Sequence, residues 1–551
     1  MNELHKSDSL AWALLTAFAI VSLYLLGVRT LVPPDEARYA EIAREMFVSG
    51  DWITTRLNGI KYFEKPPLQA WMSAFAFTVF GLGEWQARLW TGLCGLLGVA
   101  ITGYAGARVF DRRIGFYAAL VLGSSFFWVA CSQVASLDMS LAAMMGLTLC
   151  ALLLAQHDGA SAAERRGWML VSWAGMALAV LSKGLVGVVL PGAVLVVYTS
   201  ITRDWGLWRR LHPGLGLPLL LAIAAPWFVL VARANPEQPH FFFIHEHLER
   251  FLSTGHRREG AWYYFFGVLA GGIAPWLGVL PQSLALGATG DTGRFRPRLL
   301  LLIWAVLIFA FFSLSSSKLP GYILPIFPAL ALLIGACLEA GTRRSRMFAA
   351  GLTAAIGVLL LVLVPLMPKL VRFPDAAGEL EAYQPWVLAA GFAALAGGAL
   401  ALLHARQLRR DLMVLTLALA GFILAGSILV GFERYGQLRA GTALIPAIKA
   451  ELKPDTRIYS IGTYEQSLTW YLERSVILVA YRDEFGFGLD QQPELAIPQM
   501  QAFVGQWTRD AAAGVRDLGI VRADIYNHLK QQGVPMRVVA QDKRRIVIAN
   551  I

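Results

Sequence analysis

From Arg298 to Leu314 the chain reads RLLLLIWAVLIFAFFSL, a run whose only charge is its first residue. A helix needs ~20 apolar residues to cross a bilayer core, and about 17 suffice. The run is bounded by Arg294, Arg296 and Arg298 on one side and by Ser315-Ser316-Ser317-Lys318 on the other. Comparable runs recur at 10–31, 86–107, 114–131, 138–156, 213–232, 262–286, 322–339, 346–366, 385–404 and 411–431. The stretch 168–200 is too long for one span and breaks at Ser182-Lys183-Gly184, so it reads as two short helices. About thirteen transmembrane helices result. The whole 551-residue chain is 56% hydrophobic and only 15% charged, against the ~25% charged of soluble proteins. An ordinary soluble protein, a disordered chain and a fibrous repeat are all excluded. The fold class is a polytopic α-helical membrane protein with a C-terminal soluble α/β domain.

The segment 68–82 is apolar but short, about 22 Å as a helix. Leu68, Trp71, Met72, Phe75, Ala76 and Val79 fall at helical spacing on one face, which suits a helix lying on the membrane surface. If 68–82 does not cross, six short basic loops share one side with the N-terminus, as the positive-inside rule requires. They contain Arg108/Arg112/Arg113, Arg165/Arg166, Arg203/Arg209/Arg210, Arg294/Arg296/Arg298, Arg343/Arg344/Arg346 and Arg406/Arg409/Arg410. The opposite side is then external, periplasmic in a bacterium. It holds a first loop (32–85), a second long loop (233–261) and everything after Phe432. Residues 1–431 thus form a transmembrane domain. Residues 432–551 alternate strand-like runs (Arg457–Ile461, Val476–Ala480, Leu518–Val521, Arg537–Ala540, Arg545–Ile551) with helix-compatible stretches (Ile497–Asp510, Ala523–Gln532), enough for a small α/β domain with its own core. Its removal is expected to cost more in folding than in chemistry. The net charge of +11 lies in short clusters between apolar runs and does not imply nucleic acid. The four cysteines all lie within apolar runs and imply no disulfide framework. Residues 10–31 read as a retained first span, not a cleaved leader.

Polar residues near a membrane are costly and mark function. The first loop opens Val32-Pro33-Pro34-Asp35-Glu36-Ala37-Arg38-Tyr39, a good helix start, with Gly50 as its stop. Asp35 and Arg38 share a face, either as a simple capping carboxylate and ion pair or as part of a site. The loop continues with Lys61-Tyr62-Phe63-Glu64-Lys65-Pro66-Pro67, then Glu84 and Arg88. Lys183, Lys318 and Asp138 lie at the external ends of later spans, and Arg250 lies in the second loop. A lone lysine there often reaches for headgroups, whereas several cations at one depth suit an anionic ligand. Four of nine histidines (His240, His245, His247, His256) fall within 17 residues, without standard zinc spacing.

Pro-Asp-Glu-x-Arg-Tyr, Lys-Tyr-Phe-Glu-Lys-Pro-Pro, the Glu before the second span, Ser-Lys-Gly and Ser-Lys-Leu-Pro-Gly-Tyr-Ile-Leu-Pro together resemble polyprenyl-phosphate-dependent glycosyltransferases of the GT-C fold. That superfamily includes the protein O-mannosyltransferases, and the sequence is most similar to its lipid A aminoarabinose transferases. The likeness covers about 10–431, and the layout extends it to the C-terminus. The resemblance implies an inverting pentosyltransferase that moves 4-amino-4-deoxy-L-arabinose from undecaprenyl phosphate to lipid A phosphates, giving polymyxin and cationic-peptide resistance. It would sit in the bacterial inner membrane with its site facing the periplasm, act as a monomer among membrane lipids, and use neither nucleotide nor nucleic acid.

On the family pattern Asp35 is the catalytic carboxylate. An ionised lipid A phosphate needs no strong base, so Asp35 is expected to position acceptor or amino sugar. Arg38 orients Asp35 or holds acceptor phosphate. Lys65 and Arg250 are the first candidates for the donor phosphate, with Lys183, Lys318, Tyr322 and Tyr62 behind them. Arg88 and Asp138 are candidates for acceptor or sugar, and Glu84 for pairing with Arg88 or with the sugar's amino group. A divalent metal such as zinc would take Glu64 and His245; no other cofactor is expected. Two other readings remain open: the same fold with another acceptor, and a lipid flippase or transporter. The second is disfavoured by charges at the external ends and the lack of a repeat.

Overall fold

The computed structural model of the chain describes residues 2–242, 244, 260–289, 291, 293–367 and 377–551. It begins with α1 (Asn2–Leu25). The first loop then holds α2 (Asp35–Ser49), a hairpin of β1 (Arg56–Leu57) and β2 (Ile60–Lys61), and α3 (Leu68–Phe80). There follow α4 (Glu84–Val109), α5 (Arg112–Ser124), α6 (Phe126–Ser132), α7 (Leu137–Gln156), α8 (Ala162–Lys183) and α9 (Val186–Thr202). Later long helices occupy Pro213–Ala234, Pro297–Leu314, Pro320–Ala340, Arg343–Leu366, Ala377–Arg406 and Arg410–Gly431. Among the described residues eight helices are long and apolar enough to cross a membrane. They become ten if each of two bent pairs is one span: α5 with α6, bent 63°, and Tyr264–Gly272 with Trp276–Ala288, bent 111°. The remaining expected spans are present as helices α1, α8 and α9. Helices α7 and Pro320–Ala340 are apolar all round and enclosed by the others, the pattern of a bundle centre.

The basic loops meet at one end of the bundle. Arg108 pairs with Glu164 (2.8 Å), Arg113 with Glu339 (3.6 Å) and Asp411 (3.4 Å), and Arg410 with Glu339 (3.0 Å). Arg210 and Arg294 both reach Asp204, and the Arg343 guanidinium donates to the Arg406 carbonyl. These contacts join four of the six loops that the charge pattern assigns to one side into one set, and the Arg203–Arg210 and Arg294–Arg298 loops to each other.

Helix α3 stays with the first loop, packed on α2 and α4, and is only 13 residues long. The expected single apolar face is divided. Leu68 and Ala76 join Ala70, Ala74 and Phe77 in the protein interior, whereas Phe75, Val79 and Phe80 are exposed. That exposed apolar edge suits a helix resting on lipid.

The tail folds as a six-stranded sheet in the order β5-β4-β3-β6-β8-β7, with β3 (Arg457–Ile461), β4 (Ile477–Val479), β5 (Ala496–Ile497), β6 (Asp517–Val521), β7 (Arg537–Gln541) and β8 (Ile546–Ala549). Strands β5, β4, β3 and β6 run parallel; β8 and β7 are antiparallel. All five strand-like runs of the sequence are strands, and β5 is an addition. Side chains alternate between faces along each strand. Tyr459, Ile461, Val521 and Ile548 pack on Phe503 and Trp507 within the tail. Ile458, Leu478, Leu518 and Val547 face the other way and share one core with Ile42, Met46, Ile60 and Phe77 of the first loop. The tail's own core is therefore only half of its packing; the first loop supplies the rest. Asn58 makes the seam explicit, donating to the Val476 carbonyl (2.8 Å) and accepting from the Val476 N–H (2.7 Å). Below it, buried Glu41 and Arg44 form a two-bond pair (2.7 and 2.8 Å). Glu45 accepts from the Gly59 N–H (2.9 Å); burial and neighbouring Glu41 push its carboxyl up to about 7.

Candidate active site

Helix α2 begins where the two prolines and two acids place it, with Asp35 and Glu36 in its first turn, and ends at Gly50, whose φ of 71° is the left-handed closure that glycine accepts without strain. Its length sets three neighbouring side chains to different tasks. Glu36 faces inward, Asp35 stays about half exposed, and Arg38 sits between them and the tail.

Glu36 receives Arg88 of α4. Arg88 donates from Nε to Glu36 Oε1 (2.7 Å) and from Nη2 to Oε2 (3.1 Å). Its other N–H groups go to the carbonyls of Leu26 and Thr30 (each 2.9 Å) and of Arg29. Glu36 in turn accepts the N–H groups of Val32 (3.1 Å) and Ala135 (3.0 Å). Burial alone would raise the Glu36 carboxyl, but the Arg88 charge and hydrogen bonds outweigh it and hold the group below the usual range. All five donors of the guanidinium are used. Arg88 is thus a scaffold bolt between α1, α2 and α4, and the expectation that it binds acceptor or sugar is corrected. The expected pairing of Glu84 with Arg88 is corrected likewise, since the Arg88 donors go elsewhere: Glu84 accepts from the Tyr471 hydroxyl of the tail (3.1 Å), which also takes the Leu31 N–H (2.9 Å).

On the exposed side, Arg38 Nη1 donates to Asp35 (3.2 Å). Its Nε lies 2.7 Å from Glu484 of the tail, a charge contact rather than an aligned hydrogen bond. Burial pushes the Glu484 carboxyl up, with Arg38 and Gln466 opposing. Sequence reading missed Glu484: it stands 446 positions from Arg38, in a segment with no local motif. Tyr39, Tyr62 and Glu64 belong to the same neighbourhood. Burial raises both phenols, and Glu64 acts on both. Asp138, at the start of α7, also acts on Tyr39.

Asp138 grips Lys183 directly. Lys183 ends α8, where Gly184 turns the chain at φ 85°, and its ammonium lies 4.6 Å from the centre of the Tyr322 ring. Asp35 is close enough for its charge to reach Lys183. Asp35, Arg38, Tyr62, Glu64, Asp138, Lys183 and Tyr322 therefore come together from four parts of the chain. Lys65 is half-buried just before α3, beside Glu64. Lys61 pairs with Glu237 (2.7 Å), fixing the first loop to the start of the second.

Lys318 does not face this cluster as an anion ligand. Its ammonium donates to the carbonyls of Phe312 (2.9 Å), Ser313 (2.6 Å) and Ser315 (2.6 Å), closing the C-terminus of helix Pro297–Leu314. A helix end leaves carbonyls unpaired and attracts a cation. All three of its N–H bonds are spent there, which corrects the phosphate-binding expectation. Arg250 and His245 lie outside the described residues. Among the described residues no three His, Cys, Asp or Glu side chains converge as metal ligands. Of the expected metal pair, only Glu64 is placed, at the edge of the cluster.

Residues 9–242 match the model of the dolichyl-phosphate-mannose-protein mannosyltransferase family, and residues 444–550 that of the aminoarabinose transferase C-terminal domain. The fold is similar to the crystal structure of ArnT from Cupriavidus metallidurans bound to undecaprenyl phosphate, with a TM-score of 0.92, 41% identity and 98% of each chain covered. An undecaprenyl phosphate-alpha-4-amino-4-deoxy-L-arabinose arabinosyl transferase of Erwinia tasmaniensis is 31% identical over 58% of this chain; the match spans 57% of that protein's length. A second enzyme of that description, from Proteus mirabilis, is 31% identical over 70% of each chain. The first loop and its tail seam, the carboxylate–cation cluster and the 98% overlap agree on one assignment. The chain belongs to the aminoarabinose transferase family of GT-C membrane glycosyltransferases, which draw their sugar from a lipid-linked donor.

Proposed function

We infer that the protein transfers 4-amino-4-deoxy-L-arabinose from undecaprenyl phosphate to phosphate groups of lipid A, at the periplasmic face of the bacterial inner membrane. The observation that carries this reading is the gathering of Asp35, Arg38, Asp138, Lys183 and Tyr322 at the bundle end away from the basic loops. An acceptor phosphate oxygen attacks the anomeric carbon. The bond from that carbon to the donor phosphate breaks, and undecaprenyl phosphate leaves with the electron pair, inverting the centre. Charge grows on the departing phosphate, so preorganised cations are the main catalytic resource. Lys65 and Arg250 are assigned to that phosphate, with Tyr62 and Tyr322 as hydroxyl donors. Lys183 supplies positive charge held in place by Asp138.

The attacking phosphate is already ionised, so Asp35 positions the acceptor or the sugar's ammonium rather than removing a proton. Arg38 is held between Asp35 and Glu484, which fixes the angle of the Asp35 carboxylate. Glu484 acts through Arg38 and is a positioning residue. Glu64, beside Lys65, is the carboxylate available to a divalent ion or to the amino sugar.

The test is mass spectrometry of lipid A from cells lacking an endogenous transferase, with and without this protein. Aminoarabinose added to lipid A phosphate supports the reading. Unmodified lipid A with a glycosylated protein hydroxyl instead would move the acceptor to the O-mannosyltransferase alternative.

A further inference from the structure

A groove of about 890 Å³, open along one side, lies between α1, α4 and α5, away from the cluster described above. Its walls are apolar, formed by residues such as Phe18, Val99, Ala100, Gly103 and Phe116, and among the described residues its one charged lining residue is Arg112. Along α4 it runs from Gly92 to Ala107, fifteen helical steps or about 22 Å. That shape suits a single extended hydrocarbon chain.

The charge stands at one end. Arg112 is exposed in the first turn of α5, with its guanidinium 5.7 Å from the centre of the Phe116 ring. Trp12 of α1 meets the same ring edge-on, 5.3 Å away at 85°. A cation beside two aromatic rings is the composition expected at headgroup depth. This end belongs to the basic loops. The carboxylate cluster is at the other: Arg88 and Arg108 of α4 mark the two ends, about 30 Å apart at 1.5 Å per residue.

We propose that this groove binds one acyl chain of an anionic glycerophospholipid from the leaflet on the basic-loop side, with the headgroup phosphate at Arg112. A polyprenyl phosphate reacting at the cluster would have to place its phosphate at the opposite end, where the polar side chains lining the groove, among the described residues, are the hydroxyls of Ser22 and Ser132. The polarity of the groove thus selects the phospholipid.

The experiment is native mass spectrometry of the delipidated full-length protein, titrated with phosphatidylglycerol, phosphatidylcholine of the same chains, undecaprenyl phosphate or inorganic phosphate. Phosphatidylglycerol should bind about fivefold better than phosphatidylcholine, the effect of one arginine near an anionic headgroup. Arg112→Gln should erase that preference and keep chain binding. Ala100→Trp, at an exposed position of the wall, should block both lipids while leaving sugar transfer unchanged. Equal phosphatidylglycerol binding by wild type and folded Ala100→Trp overturns the proposal. So does undecaprenyl phosphate displacing phosphatidylglycerol equally from wild type and Arg112→Gln, which would give the groove to the polyprenyl tail. Binding of inorganic phosphate as tight as that of phosphatidylglycerol would also overturn it, since the chain would then contribute nothing. If Ala100→Trp does not fold, loss or persistence of the preference in Arg112→Gln decides.

Discussion

Replacing Arg88 with Met should unfold the junction of α1, α2 and α4 before it affects any chemistry. The wild-type guanidinium is fully buried and makes five hydrogen bonds, two to Glu36 and three to backbone carbonyls at the end of the first span. Methionine fills much of the volume but leaves the Glu36 carboxylate without its counter-charge. Removing one member of a buried ion pair costs ~3–5 kcal/mol. Part of that is recoverable, because Glu36 can take up a proton and keeps the Val32 and Ala135 N–H groups. Arg88→Lys should recover little, since one ammonium cannot reach acceptors on four residues of two segments. The assay is paired: thermal midpoint and monodisperse yield in detergent, then transfer rate per folded molecule with saturating donor. The expected result is a large fall in yield and midpoint, with Glu36→Gln/Arg88→Met milder than Arg88→Met alone. A variant with wild-type stability and a raised KM for lipid A would refute this reasoning and return Arg88 to the acceptor site.

Five further outcomes follow from the same geometry. Lys318→Met uncaps the helix ending at Leu314 and should cost roughly 1.5–3 kcal/mol, the range for a charge-assisted hydrogen bond, read as a lower thermal midpoint with activity per folded molecule retained. Glu484→Gln should lower kcat more than it lowers the thermal midpoint, because it frees Arg38 from one of two carboxylates; an unchanged kcat would remove the tail from the site. Trp470→Ala, which vacates a ring 5.5 Å from Phe77 across the seam, should cost ~3–5 kcal/mol, and truncation after Phe432 should abolish folding of the first loop, seen by proteolysis. Glu45, pushed up to about 7, contributes stability that is full below about 4.5 and is lost as pH rises through about 7. Glu45→Gln should therefore raise the thermal midpoint at pH 8 and lose that advantage as the pH falls to 4.5.

Much of this arrangement is visible in the chain before any coordinates. Apolar runs locate the helices, and the arginine loops, once 68–82 is kept out of the membrane, sort the ends correctly. The Pro-Pro-Asp-Glu start and Gly50 stop of α2 are local signals and behave as such. What local pattern does not carry is who pairs with whom. Arg88 and Lys318 read as ligand-binding cations because most of their partners are backbone carbonyls, which have no letter in a sequence. For Lys318 a clue did exist: a helix ending at Leu314 must satisfy its last carbonyls, and the first cation after it is Lys318. Arg88 and Glu36 are 52 positions apart, and Glu484 is further still from Arg38, so neither contact has a periodicity to announce it. The tail's strands are legible by alternation, yet alternation cannot say that one of its two apolar faces is covered by another part of the chain.

The account rests on Asp35 acting within a preorganised cluster, and its half-exposed side chain (51%) lets that be tested without breaking the fold. The direct measurement is the rate of aminoarabinose transfer to lipid A by purified Asp35→Asn, with thermal midpoint and undecaprenyl phosphate binding measured on the same sample. The prediction is a loss of roughly 10²-fold or more, the scale for removing one preorganised electrostatic group, with midpoint and donor binding close to wild type. Transfer at the wild-type rate by a folded Asp35→Asn protein would contradict it.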